Sequence, residues 1–276
     1  MAGRGRWHWA MTQALDVPLW PDRPLPSMRV VRPARPSSDA APAIVVFRGG
    51  AYASSSGSGA GSAEWIATQG MVGIEAAYGA RNTHTFYPAN YADGARAMRL
   101  VRSRAREWGI DERRVAVLGY SAGGHLASLI STQPSLYLDP RDDLAPGLLA
   151  RPDLVVLGYP VISFIDGYSP GAFIGSVDNF LGENNPNETL RRQFSNELHV
   201  EPGHPPVFIW TTADDALVPF THSKLFAQAC SREQVPVEFT LFPRGPHGMG
   251  LALDAPNEAR GWTTQLLAWL AQQWGA

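Results

Sequence analysis

The chain has 276 residues, a formal net charge of −2 and a sequence pI near 6.4. Proteins that bind nucleic acids usually present a basic face, so we expect no nucleic-acid partner. No stretch approaches the roughly 18 consecutive apolar residues of a membrane span, and the N-terminus lacks the apolar core of a signal peptide. A single cysteine, Cys230, cannot form an internal disulfide. We therefore expect a cytoplasmic protein with no membrane partner.

Residues 1–42 are rich in proline and arginine and favour an extended arm or early strands, because proline removes backbone donors. Beyond them, short apolar runs recur without polar alternation, which is typical of strands covered on both faces of a parallel sheet. The runs are AIVVF (43–47), MVGIEAAY (71–78), VAVLG (115–119), LVVLGYP (154–160), VFIWTTA (207–213) and VEFTLF (237–242).

Helical patterns lie between these runs. Residues 90–108 show one apolar face, and residues 257–274 predict a terminal helix packed on the sheet. On another face of the first helix lie four arginines, which we predict to be solvated: Arg96, Arg99, Arg102 and Arg106. Alternating strands and helices predict one α/β domain over residues 1–276, with a mostly parallel, doubly wound sheet and helices on both faces.

The alternation is interrupted at residues 161–206, where glycine, proline and asparagine separate short helical pieces. A long excursion after a central strand more often covers a site than remains disordered. We therefore predict a short cap-like insertion here.

The segment Gly119-Tyr120-Ser121-Ala122-Gly123 follows an apolar strand and precedes a helical pattern. G-x-S-x-G in this context predicts a nucleophile elbow, in which the glycines permit a sharp turn that presents Ser121. The helix N-terminus behind the serine favours developing negative charge. Without the flanking strand and helix, the five-residue pattern would be weak evidence.

A serine hydroxyl needs a base that is itself oriented by an acid. His247 follows the strand at 237–242, and Asp214 and Asp215 follow the preceding strand, so all three lie at the sheet edge where ligands gather in such folds. The D-x-x-V-P spacing common in enzymes with such a nucleophile elbow favours Asp215 as the acid and leaves Asp214 a supporting or capping role. His125, only four residues after the serine, is expected to point into packing.

Several segments together resemble the α/β-hydrolase esterases, and more closely the bacterial carbohydrate-esterase branch of acetylxylan and feruloyl esterases. They are LWPDRPLP, FRGGAY, AMRLVRSRAREWGIDERRVAVLGYSAGGHLAS, RPDLVVLGYPVI, TTADDALVP and GPHGMGLA. The resemblance implies an α/β-hydrolase fold and hydrolysis of short-chain carboxylic esters through an acyl-serine, without a cofactor. The implied substrates carry acetyl or feruloyl groups on carbohydrates. The implied partner is a small-molecule or oligosaccharide ester, and the sequence is compatible with a homodimer.

FRGGAY corresponds to the oxyanion loop of those esterases, usually H-G-G-G or P-G-G-G. By that match, the backbone N–H groups of Gly50, Ala51 and Ala122 would hold the oxyanion. Arg48 departs from the family pattern. It either pins the loop or recognises an acidic group on the substrate. Tyr52 and Tyr120 are candidates to wall the pocket, although packing alone would account for them equally well.

Other functions fit the sequence less well. Kynurenine formamidase-like hydrolases, which cleave aryl formamides, share the short motifs and remain the alternative. The G-x-G-x-x-G fingerprint of nucleotide binding is absent from the glycine-rich stretch 49–65, and the histidines show no metal-binding spacing. We therefore predict no metal. Non-catalytic binding proteins on this fold usually lack one of the three catalytic residues. This sequence has all three, Ser121, Asp215 and His247, which argues against a binding protein.

Overall fold

The structure, a computed structural model, describes residues 14–34, 40–165, 174–182 and 186–275. The first thirteen residues of the predicted arm lie outside the described ranges, and the rest of the arm begins with two strands, as predicted. The strands are β1 Ala14–Trp20, β2 Arg23–Val31, β3 Ala41–Phe47, β4 Val72–Ala76, β5 Ile110–Tyr120, β6 Leu154–Gly158, β7 Val207–Thr212 and β8 Val237–Phe242.

These strands form one sheet in the order β1-β2-β4-β3-β5-β6-β7-β8. β1 and β2 pair antiparallel with each other and β2 pairs antiparallel with β4, whereas all the later pairings are parallel. The predicted α/β-hydrolase fold and its mostly parallel sheet are thereby confirmed. Parallel pairing brings the carboxyl ends of β3, β5, β7 and β8 to one edge, where the loops that follow them meet.

Helices cover both faces of the sheet. They are α1 Ser62–Thr68, α2 Ala89–Ser103, α3 Ala105–Trp108, α4 Ala122–Thr132, α5 Ile174–Leu181, α6 Glu188–Gln193, α7 Thr221–Arg232 and α8 Trp262–Trp274. No helix in the described ranges combines the length and the apolar character needed to cross a membrane.

Neighbouring residues of a strand enter different cores. Val45 and Val117 pack with α2, α4 and α7 on one face, while Val46 and Leu118 pack with α1 and α8 on the other. Each side chain is fully buried. Successive side chains of a strand point to opposite faces, so a strand covered on both faces is apolar throughout. This explains the uninterrupted apolar runs.

The prediction of solvated arginines is wrong at Arg96 and Arg99, and the Arg102 side chain is also largely buried beside Asp153, at 13% exposed. Arg96 and Arg99 are 3% and 5% exposed. Both donate to the carboxylate of Asp142, at 2.5 Å for Arg96 Nη1, and Arg96 also lies over the ring of Trp20. Helical spacing predicts the direction in which these side chains point. It cannot predict the loop that covers them, because Asp142 is distant from both arginines in the sequence. Arg106 is exposed as predicted.

The described parts of the predicted insertion at 161–206 contain α5, α6 and a short 3₁₀ turn at Asn196–Leu198. Asn179 of α5 donates through Nδ2 to the carbonyl of Ala51 at 2.9 Å. Phe180 packs edge-on or tilted against Tyr52 and His125, at ring centroid distances of 4.9 and 5.3 Å. The insertion therefore packs on the loop after β3, as expected of a cap.

Candidate active site

Ser121 lies between the end of β5 and the first residue of α4, with φ 54° and ψ −120°. This backbone conformation is uncommon for a non-glycine residue. A Cβ on Gly119 would lie 2.3 Å from the carbonyl oxygen of Gly123, and one on Gly123 would lie 2.2 Å from that of Phe47. Only glycine fits at these two positions, which is why the strand can turn so sharply into the helix.

The three residues predicted at this sheet edge are brought together. His247 Nε2 lies 2.8 Å from Ser121 Oγ, and His247 Nδ1 lies 2.7 Å from Asp215 Oδ2. With a neutral imidazole, Nδ1–H donates to the carboxylate and Nε2 accepts from the serine hydroxyl. The Asp215 side chain is fully buried and that of His247 is 12% exposed, so water competes little for these bonds.

The loop after β7 fixes Asp215 and distinguishes it from its neighbour. Asp215 Oδ1 accepts from the amides of Leu217 and Val218 at 2.9 and 3.0 Å, which leaves Oδ2 for the histidine. Asp214 is exposed, and its Oδ1 accepts from Gly245 N at 2.7 Å. The bond from Gly245 ties the loop that carries His247 to the loop after β7, and it matches the capping role expected of Asp214.

Tyr159 is a site residue that the sequence analysis did not identify. Its ring packs edge-on against the His247 imidazole with centroids 4.9 Å apart, and its hydroxyl accepts from Gly250 N at 2.7 Å. Tyr159 follows β6 directly. Its place after a parallel strand, at the same sheet edge as Ser121, could have identified it from the sequence.

The loop after β3 presents two amides beside the nucleophile. Gly50 has φ 139° and Ala51 has φ 53°, and neither N–H has a protein acceptor within the described ranges. A Cβ on Gly50 would lie 2.3 Å from the carbonyl oxygen of Ser54, so the turn requires glycine there. Ala122 is the first residue of α4, and its N–H has no intrahelical acceptor. These amides can stabilise a negative oxygen next to Ser121.

Arg48 is engaged in this loop and not aimed at the cleft. Its Nη1 lies 2.9 Å from Glu75 Oε1, and its Nη2 donates to the carbonyls of Ser56 and Gly57 at 2.7 and 2.8 Å. Its own carbonyl accepts from the Tyr78 hydroxyl at 2.7 Å. These contacts match the first reading of Arg48, in which it pins the loop.

Neither candidate tyrosine lines the cavity above Ser121, so the contacts favour the second of the two readings left open, in which both side chains serve packing. Tyr52 and Tyr120 are both fully buried. The Tyr52 hydroxyl lies 2.9 Å from His125 Nδ1, and that of Tyr120 lies 3.1 Å from Ser62 Oγ. Burial raises the pKa of both phenols well above the ordinary value. Both side chains therefore support the loops from beneath as neutral hydrogen-bonding groups.

A cavity of about 300 Å³ opens above the nucleophile. Gly50, Ala51, Ser121 and His247 line it, together with residues that the sequence analysis did not identify: Gly57, Ser58, Ser176, Leu217, Val218 and Gly248. Ser176 belongs to α5, so the insertion at 161–206 contributes directly to the cavity. Among the described residues, no group of three or more histidine, cysteine, aspartate or glutamate side chains has the arrangement of a metal site.

The BD-FAE family model matches residues 28–230, a stretch that includes Ser121 and Asp215 and ends before His247. The chain is 35% identical to an acetyl ester-xyloside bifunctional hydrolase from Caldicellulosiruptor lactoaceticus of known structure. The alignment covers 94% of this chain and 96% of that one, with a TM-score of 0.81.

Two curated relatives are longer than this chain. An acetylxylan esterase from Xylanibacter ruminicola is 32% identical over 78% of this chain and 42% of its own length. Endo-1,4-beta-xylanase B from Butyrivibrio fibrisolvens is 37% identical over 59% of this chain and 25% of its own length. This chain thus matches less than half of either relative. With the family match spanning most of its residues, the chain belongs to the BD-FAE family and is related to the carbohydrate esterases of the α/β-hydrolase fold.

Proposed function

We propose that this protein is a serine esterase that removes short acyl groups, foremost acetyl, from carbohydrates through an acyl-serine intermediate. The observation that carries the proposal is the continuous hydrogen-bonded chain from Ser121 Oγ through His247 to Asp215. This chain ends in a small cavity that also presents the free amides of Gly50 and Ala51. The names of the relatives support acetyl esters of xylan as the substrate class.

In the first half-reaction, Ser121 Oγ attacks the ester carbonyl carbon while His247 Nε2 takes the hydroxyl proton. The buried carboxylate of Asp215 holds the imidazole in the required tautomer and stabilises the imidazolium. Negative charge develops on the carbonyl oxygen, where the amides of Gly50, Ala51 and Ala122 can donate to it. Each such donor is worth about 3 kcal/mol in the transition state.

The tetrahedral intermediate collapses when His247 returns the proton to the leaving alcohol oxygen and the C–O bond of the ester breaks. Water then adds to the acyl-serine with His247 as the base, and Ser121 leaves with the proton from the imidazolium. The products are a free carboxylic acid and the alcohol. No cofactor is needed to balance either step.

The proposal is tested with 4-nitrophenyl acetate, acetylated xylo-oligosaccharides, a feruloyl ester and N-formylkynurenine. We expect wild-type turnover of the acetates and a loss of more than a thousandfold in Ser121→Ala. Ser103→Ala is a matched control, because Ser103 is an exposed serine at the end of α2 and does not line the cavity. Equal inactivity of wild type and Ser121→Ala on every ester and formamide would refute an enzymatic function. Faster cleavage of the formamide than of any acetate would support the formamidase alternative instead.

A further inference from the structure

A second, larger cleft adjoins the cavity above Ser121. Its volume is about 630 Å³, and it shares His247 and Leu217 with the smaller cavity but not Ser121, Gly50 or Ala51. Its walls come from the loops after β7 and β8. The remaining lining residues are Asp214, Ala216, Arg244, Gly245, Pro246 and Asn257.

Three polar side chains in this cleft keep unused hydrogen-bonding groups. The guanidinium of Arg244 is exposed and makes no hydrogen bond or ion pair within the described ranges. Asp214 uses Oδ1 to accept from Gly245, and its Oδ2 has no hydrogen-bond partner among the described residues. Asn257 uses Oδ1 to accept from Ala259 N at 3.1 Å, which leaves its Nδ2 as a donor. The cleft therefore offers both donors and acceptors beside the apolar surfaces of Leu217 and Pro246.

The position of His247 relates this cleft to one half of an ester. The leaving oxygen must approach His247 Nε2 to receive its proton, whereas the carbonyl oxygen must face the amides of Gly50 and Ala51. The alcohol half of the substrate therefore extends from the His247 side of the scissile bond. The larger cleft includes His247 and lacks the oxyanion amides, so it can receive an alcohol of appreciable size.

We infer that this cleft is a subsite for a neutral pyranose, with Arg244 as the residue that selects sugar esters over simple esters. The inference rests on the proposed function and adds to it the site and the character of the alcohol. Sugar hydroxyls both donate and accept, and sugar rings carry apolar C–H faces, which fits this mixture of lining groups. Asp214 places a carboxylate in the same cleft as Arg244, and Arg48 is occupied by Glu75, so the described lining favours a neutral sugar over a uronic acid.

The test compares a mono-O-acetylated methyl β-D-xylopyranoside with ethyl acetate, whose alcohol is too short to fill the cleft. Arg244→Ala should lower the ratio of kcat/KM for the sugar ester to that for ethyl acetate by about tenfold, the effect of losing one or two hydrogen bonds. Arg244→Lys should restore part of that ratio. Arg106→Ala, an exposed arginine of α3 outside the cleft, is the matched control and should leave the ratio at its wild-type value.

The outcomes separate this inference from the proposed function. An unchanged ratio in Arg244→Ala, or an equal fall for both esters, overturns the subsite. A greater loss on an acetylated methyl glucuronide than on the xyloside overturns the assignment to a neutral sugar. If wild type cleaves no ester, the proposed function fails. Saturation-transfer NMR with methyl β-D-xylopyranoside then still decides the subsite, because binding by wild type must weaken in Arg244→Ala.

Discussion

The Tyr52 hydroxyl lies 2.9 Å from Nδ1 of His125, and this buried bond joins the loop after β3 to the helix that carries the nucleophile. His125 Nε2 lies 2.8 Å from the carbonyl of Phe194, so Nε2–H donates there and Nδ1 accepts from the phenol. Burial lowers the pKa of His125 to about 3, which keeps this neutral tautomer. Tyr52 directly follows Ala51, so the pair fixes the loop that presents the oxyanion amides.

Replacing Tyr52 by phenylalanine should therefore reduce catalysis as well as stability. The variant leaves a buried acceptor on His125 without a partner, at a cost of about 1–3 kcal/mol in the free energy of unfolding. Because Gly50 and Ala51 lose one of their anchors, we expect kcat to fall about tenfold with little change in KM. Tyr137→Phe is the control, since that hydroxyl makes no hydrogen bond within the described residues. A normal kcat in a destabilised Tyr52→Phe would exclude the positioning role.

The two adjacent aspartates should respond differently to the same substitution. Asp215→Asn presents an amide that favours the wrong tautomer of His247, and we expect kcat on 4-nitrophenyl acetate to fall by about 10³- to 10⁴-fold. Asp214→Asn keeps the oxygen that accepts from Gly245, so its loss should stay below about tenfold. Steady-state kinetics of the two purified variants decide the assignment. The reverse order of effects would identify Asp214 as the acid.

Three buried histidines should make the protein sensitive to mild acid. Burial lowers the pKa of His204 and His222 to about 4 and that of His125 to about 3, whereas unfolded histidine titrates near about 6.5. The unfolded chain therefore binds protons first as the pH falls. Their contribution to stability is complete above about pH 6.5 and is lost progressively toward pH 4.

Urea unfolding at pH 7 and at pH 5 measures this loss, because pH 5 is still above the range in which most carboxylates titrate. We expect the free energy of unfolding to be several kcal/mol lower at pH 5 than at pH 7. His84→Asn replaces an exposed histidine and should show the same pH dependence as wild type. A free energy of unfolding that stays constant between these pH values would contradict burial of the three neutral imidazoles.

The buried arginine pair of α2 gives a stability prediction with an internal control. Asp142→Ala leaves the guanidiniums of Arg96 and Arg99 without their shared buried carboxylate, and we expect a loss of about 3–5 kcal/mol. Asp143 also pairs with Arg96 but is 58% exposed, so Asp143→Ala should cost less than about 1 kcal/mol. Denaturant midpoints of both variants test the difference, and equal midpoints would contradict it.

Arg48 should affect all substrates alike. Arg48→Ala removes the contacts to Glu75, Ser56 and Gly57, so the loop loses order and kcat should fall at least several-fold. The fall should be equal for neutral and acidic acetyl esters, because the guanidinium is already engaged. Glu75→Gln weakens the same anchor from its other end and should give a smaller decrease of the same kind. A loss confined to acidic substrates would instead assign Arg48 to substrate recognition.

Much of this molecule was predictable from local sequence patterns. The apolar runs identified the strands from β3 onward, because a strand buried on both faces has no polar alternation. Gly119 and Gly123 identified the turn at Ser121, since a side chain at either position would collide with backbone. His247 and the two adjacent aspartates could be selected because parallel strands bring the loops at their carboxyl ends to one edge, and the D-x-x-V-P spacing common in such enzymes then favoured Asp215.

The contacts across the fold were not predictable, because they join residues that are distant in sequence. Helical spacing put Arg96 and Arg99 on a polar face, but only packing brought Asp142 over them. The sequence could not distinguish a tyrosine that walls a pocket from one buried beneath it, and Tyr52 proved to be the latter. The sequence did not distinguish Arg244 from other surface arginines, because the cleft around it forms only where the loops after β7 and β8 come together.

The sequence by itself determined the strand order from β3 onward, the turn at the nucleophile and the sheet edge that carries the three hydrogen-bonded residues, because each depends on local backbone geometry or on strand direction. Only the tertiary structure decided which polar groups are used up and which remain free. Arg48 forms an ion pair with Glu75, whereas Arg244 lines an open cleft. The physical reason is that a charged side chain becomes available to a ligand only when folding provides it with no internal partner.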